Sequence, residues 1–132
     1  MMTNKLKASL LRELKEEEAG CAKENWDGYQ ALPVPSKLFR LAENFIRAIP
    51  DRTLNMLHTA EVNPLPYGEL GINFQYTDSW QDGYLMLWID EGEGYKGMYI
   101  YEGGKFQQLV KMCNLDEVVE ELEAYAERKQ YE

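Results

Sequence analysis

Histidine and cysteine are scarce in this sequence, with one of the first and two of the second in 132 residues. That scarcity removes most hydrolytic and metal chemistry. His58 leaves a His-based scheme one candidate and no partner. Ser9, Ser36 and Ser79 fall in a helix, a cap and a turn, with no GxSxG elbow among them. Cys21 and Cys113 lack CxxC spacing, so neither a zinc site nor a disulfide framework is indicated, and both thiols are expected to be reduced. Long hydrophobic runs are missing too. The longest, Tyr84 to Ile89, is too short to span a bilayer, and no apolar signal region opens the chain. The expected location is the cytoplasm, with no membrane partner. Basic residues are also few: 14 Lys and Arg face 23 Asp and Glu, for a net charge of -9. Such a surplus argues against direct binding to a nucleic-acid backbone. It leaves a merely soluble protein, a binder of basic partners, or an acidic mimic of nucleic acid.

What is present suffices for a core. With 45% hydrophobic and 28% charged residues the chain is globular in composition, and its length fits one domain over 1–132. Leu6, Leu10, Leu11 and Leu14 recur at helical spacing from Asn4 to about Gly20. Ser36 is positioned as an N-cap, and Leu38, Leu41, Ala42, Phe45, Ile46 and Ile49 then form one apolar stripe that Pro50 ends. Beyond Asp51 the period shortens. His58, Ala60 and Val62 alternate with polar residues, Asn63 to Gly68 interrupts, and Leu70, Ile72, Phe74 and Tyr76 alternate again. Asp78 to Gly83 is a turn with Trp80 at its tip. Tyr84 to Ile89 is apolar at both parities, as expected of a central strand covered on one side and aromatic on the other.

Asp90 to Gly94 turns the chain, Tyr95 to Tyr101 is the next strand, and Glu102-Gly103-Gly104-Lys105 turns it into an edge strand from Phe106 to Val110. Asn114 with Glu117 three residues on has the form of a capping box, opening a helix through Leu115, Val118, Val119, Leu122, Tyr125 and Ala126. The tail beyond Arg128 is expected to fray. Short strands joined by turns imply an α+β fold. Its body is an antiparallel meander of four or five strands, packed with about three helices, two N-terminal and one C-terminal.

No constellation points to catalysis, a cofactor or a metal. Gly92-Glu93-Gly94-Tyr95-Lys96-Gly97 matches GxGxxG literally. It lies in a hairpin, however, without the parallel strand and helix that a dinucleotide requires, and its acids would repel phosphate. The same acidic turn lacks the spacing of a calcium loop. A pair of carboxylates for glycoside hydrolysis stays open, although the acids sit mostly on helix faces and turns. From Leu115 to Glu132 seven acids face two bases. Asp78, Asp82, Asp90, Glu91 and Glu93 add an acidic set at loop tips. On one side of the molecule the two sets would attract a basic partner.

Aromatic residues supply the other unusual feature. Tyr84, Met86 and Trp88 share a strand face, as do Tyr95, Gly97, Tyr99 and Tyr101 on the neighbouring strand. Such a face is either core packed under a helix, the more ordinary outcome, or a binding surface.

The least generic stretch joins the first two helices. In Asn25-Trp26-Asp27-Gly28-Tyr29-Gln30-Ala31-Leu32-Pro33, Asp and Gly mark a tight turn and the Trp ring exceeds what a spacer needs. This run resembles the signature of a family of small, largely uncharacterised bacterial and phage proteins. There N-W-D/N-G-Y-G-A-x-P lies between an N-terminal helix and an amphipathic second helix, with a small sheet following. Gln30 stands where that pattern has a second Gly. The resemblance implies a cytosolic protein of a mobile or defence-type gene neighbourhood and carries no established activity with it.

The expected function is therefore a non-enzymatic module that binds another protein with a basic surface, in the manner of an antitoxin, inhibitor or immunity protein. Trp26, Asp27, Tyr29, Trp80, Tyr84, Trp88, Tyr99 and Tyr101 are its candidate contact residues. The alternatives are a ligand-binding domain or enzyme with a pocket beside Trp26, Asp27 and Tyr29, and an acidic nucleic-acid mimic.

Overall fold

Helix α1 spans Lys5–Gly20 and starts where the Asn4 side chain accepts the backbone N–H of Leu6 and Lys7. The computed structural model describes residues 4–92, 94–111 and 114–131. Helix α2, Ser36–Ala48, buries Leu38, Phe39, Ala42, Phe45 and Ile46. Its cap differs from expectation. Pro35 holds the N-cap position in extended conformation without a side-chain bond, and Ser36 is already helical. Pro50 does more than end α2, since the short helix α3, Asp51–Asn55, starts directly on it. Five residues are too few for a 3.6-residue period to show.

Five strands follow: β1 (Thr59–Leu65), β2 (Glu69–Gln75), β3 (Tyr84–Asp90), β4 (Gly94–Glu102) and β5 (Lys105–Lys111). They form one antiparallel meander in the order β1-β2-β3-β4-β5. The fold is α+β, as the strand pattern indicates. His58 lies just before β1, exposed, and its N–H donates to the Gln75 carbonyl at 2.8 Å. Pro64 falls inside β1 instead of interrupting it, which an edge strand tolerates because its outer N–H has no ladder partner to lose.

The four α-helices pack on one face, while a single 3-10 turn, Trp80–Asp82, leads into β3 with its Trp80 ring on the other. Val62, Leu70, Ile72, Phe74, Leu85, Leu87, Ile89, Met98 and Ile100 point into that layer and are at most 3% exposed. With Leu10, Leu38, Phe39, Phe45, Val118 and Leu122 they make one continuous core. At the 25 cal/mol per Å² typical of apolar burial, each such side chain stabilises the fold by about 2 kcal/mol relative to exposure.

A bulge changes one assignment. Trp88 faces Gly97 but Ile89 faces Tyr95, so β4 carries an extra residue there. The shift turns Tyr95 away from Tyr99 and Tyr101 and into the helix layer, where its hydroxyl donates to the Leu41 carbonyl at 2.7 Å.

Helix α4, Leu115–Gln130, opens with the full capping box of Asn114 and Glu117. It stays helical past Arg128, where fraying was expected. The buried Lys129 ammonium donates to Glu102 and lies 4.9 Å over the Tyr76 ring, which fixes the last turn to β4. Among the described residues no helix is long and apolar enough to cross a membrane.

Candidate functional site

The eight sequence-derived contact residues fall into two groups. Trp26, Asp27 and Tyr29 belong to the loop between α1 and α2; Tyr84, Trp88, Tyr99 and Tyr101 lie on the sheet face that no α-helix among the described residues covers, and Trp80, in the 3-10 turn before β3, sets its ring beside them.

The loop is held by its own side chains. Asp27 Oδ1 accepts the N–H of Tyr29 at 2.8 Å and of Ala31 at 3.1 Å. Asn25 Oδ1 accepts the N–H of Gln30, and Trp26 Nε1 donates to the Leu32 carbonyl, both at 2.7 Å. Backbone bonds from Asn25 to Ala31 and from Val34 to Cys21 close it. Asn25, Gly28 and Gln30 all have left-handed backbone, with φ of 60°, 79° and 67°. Asn tolerates that region and Gly is free in it, but Gln is strained there by about 1 kcal/mol. The Tyr29 side chain projects out of this network, and the residue is 87% exposed.

On the sheet, Tyr84, Met86 and Trp88 of β3, Tyr99 and Tyr101 of β4, and Phe106 of β5 point away from the helices. Of the two readings left open for this face, packing under a helix is not what the structure has: both parities of β3 are apolar and only one is covered. Seven rings make a continuous strip across it. Trp80 lies 6.2 Å from Tyr101, which stacks on Tyr84 at 5.3 Å. Tyr84 approaches Phe106 at 6.5 Å, and Phe106 stacks on Tyr99 at 5.3 Å. Tyr99 meets Trp88 at 5.5 Å, and Trp88 meets Tyr67 at 6.2 Å. Trp80, Tyr67 and Phe106 are each at least half exposed. Lys96 lies 5.0 Å over the Trp88 ring and is paired with Glu69 and Asp90.

Two polar atoms of this face, Trp88 Nε1 and Asn73 Oδ1, are shielded from solvent with no hydrogen-bond partner among the described residues. Such groups cost about 1–3 kcal/mol each. Burial raises the Tyr67 hydroxyl above its ordinary pKa, with Glu69 adding to the shift and Lys96 opposing it.

Sequence reasoning missed Tyr67 and Phe106. Phe106 was accessible to it, since a two-residue Gly103-Gly104 turn places 106 opposite 101. Tyr67 was not, because its position depends on the loop before α2: Leu32 N–H donates to the Pro66 carbonyl at 2.7 Å, and Leu32 bridges to Tyr67.

The other candidates are not brought together. Asp78 and Asp82 lie at one end of β3 and Asp90 and Glu91 at the other, while the acids of α4 belong to the helix layer. Glu93 and Cys113 lie outside the described residues. Cys21 is buried, and burial pushes its thiol up to about 11, helped by Glu17. That is the opposite of an activated nucleophile. The cleft between α1 and α2, about 600 Å³, is crossed by ion pairs of Arg40 with Glu18 and Glu43 and of Arg47 with Glu43. A groove beside the end of the loop is lined by Leu32, Pro33, Tyr67 and Glu91, among others, and not by Trp26, Asp27 or Tyr29.

No family model, curated protein or solved structure matches this chain.

Proposed function

We propose that this chain is a protein-binding module whose contact surface is the open face of the sheet. The carrying observation is the strip of seven contiguous rings on a face that no α-helix among the described residues covers. Exposed apolar patches of this continuity mark interaction sites, and Tyr and Trp dominate interface energetics because they bury much area with few rotatable bonds. In biological terms the module is an antitoxin-, inhibitor- or immunity-like protein of a bacterial or phage cytosol, in line with the resemblance of Asn25–Pro33.

The pocket reading draws less support, because Trp26 and Asp27 spend their polar groups inside the loop. The mimic reading requires acids along one face, and these are divided among α4 and two opposite loop ends.

The test is affinity purification from source-cell extract with wild type and with a Trp88→Ala, Tyr99→Ala double variant, followed by calorimetry on the purified partner. A stoichiometric partner lost only by the folded variant is the expected result. A partner retained at full affinity by the variant refutes the assignment.

A further inference from the structure

The two edges of the sheet are finished differently. On β1 the Glu13 carboxylate of α1 accepts the Val62 N–H at 2.8 Å, Pro64 has no N–H to offer, and Leu32 and Tyr67 bridge beyond its end. An incoming strand finds that edge occupied.

On β5 no side chain or backbone group among the described residues bonds to the outer edge. Lys105 to Leu109 and Lys111 are all exposed, with Phe106 half exposed and Leu109 38% exposed. Alternate residues of such a strand turn their N–H and C=O groups outward, a template for a further strand.

The charge on β5 limits what fits. Each of the other four strands carries a carboxylate, but Lys105-Phe106-Gln107-Gln108-Leu109-Val110-Lys111 carries a lysine at each end and no acid. Neither lysine is in an ion pair among the described residues. In a symmetric antiparallel pair of two copies, the Lys105 end of one would lie beside the Lys111 end of the other, on opposite faces because of the bulge at Leu109, so each end of the pair would gather two cations and no acid. The edge thus disfavours another copy of this chain and favours a strand with acidic ends.

We propose that β5 accepts a short extended segment of a partner protein as a sixth strand, and that this segment has acidic residues flanking an alternating apolar centre. Backbone bonds to the open edge would give affinity, and Lys105 and Lys111 would fix the register. Alternate side chains of the segment would continue the aromatic strip beyond Phe106 and Gln108. This deepens the reading of the open face as a protein-binding surface and rests on it for the class of partner.

The experiment uses the whole protein and three capped peptides matched to the seven residues of β5: Asp-Thr-Val-Thr-Val-Thr-Asp, the same peptide with Lys ends, and an N-methylated Asp form that cannot donate. Amide shifts are followed by NMR up to millimolar peptide. The expected result is perturbation centred on residues 105–111 by the Asp peptide, binding about fivefold weaker for Lys ends, and loss on N-methylation. Lys105→Glu with Lys111→Glu, both exposed and checked for native dispersion, should reverse the charge preference. No perturbation, an effect centred on β1, or indifference to end charge each overturns the proposal. If the natural partner loses affinity for the Trp88, Tyr99 variant but not for the lysine variant, the edge proposal fails while the reading of the face stands.

Discussion

Alternate residues of the same strands build the two faces of the sheet. Leu85, Leu87 and Ile89 of β3 are fully buried under the helices, whereas Tyr84, Met86 and Trp88 between them remain half-buried on the open side. Aliphatic side chains gain by leaving water altogether. Rings with a polar edge can shield one another while their hydroxyls stay wet. Hydrophobicity alone therefore does not say which face of β3 the helices cover.

The largest expected effect breaks the symmetry between neighbours on β3. Leu87→Ala should lower unfolding free energy by about 3 kcal/mol through the cavity it leaves, read by urea denaturation. Trp88→Ala one residue away should cost less stability and more partner affinity. Equal stability losses at both positions would mean that the open face is a second core.

The loop before α2 belongs to neither face and is expected to come next. Asp27→Ala removes the acceptor of two backbone N–H groups and should cost about 1–2 kcal/mol, while Tyr29→Ala should stay within about 0.5 kcal/mol. A reversed order would restore Asp27 and Tyr29 as a functional pair.

Acid titration separates two carboxylates. Burial pushes the Glu102 carboxyl upward, but the Lys129 and Arg128 cations outweigh it and hold it below the usual 4.5. Its contribution is therefore present above that value and lost as pH falls through the folded one. Glu13 is the reverse. Burial raises it above 4.5, the Val62 N–H opposes, and Glu61, Glu17 and Glu16 add to the rise. Its contribution is fully present below 4.5 and lost as pH rises through the folded value. Denaturation across roughly pH 3 to 7 should show Glu102→Gln flattening the acid limb and Glu13→Gln flattening the decline on the higher side. The smallest effect is Gln30→Gly, which relieves left-handed strain and should stabilise by about 0.5 kcal/mol after its unfolded-state cost. A loss there would show that the Gln30 side chain has an interaction of its own.

Much of the fold was legible because period 2 and period 3.6 alternate cleanly, from Leu70 to Tyr76 and from Leu38 to Ile49. Three features were not. The helix at Asp51–Asn55 is too short for a period. The extra residue in β4 moved Tyr95 to the other face, and the glycine beside it, Gly97, fits an unbroken alternation equally well. The side of cover was ambiguous because β3 is apolar at both parities. Five of the eight candidate contacts share one surface, and the rest were drawn to notice by a motif whose side chains organise backbone.

That motif still reaches the strip. Trp26 clamps the Leu32 carbonyl, Leu32 holds the Pro66 carbonyl through its N–H, and the next residue, Tyr67, is the terminal ring against Trp88. The loop thus acts as a buttress for one end of the strip. A change at Trp26 would then blunt recognition at a distance, with no contact to the partner of its own.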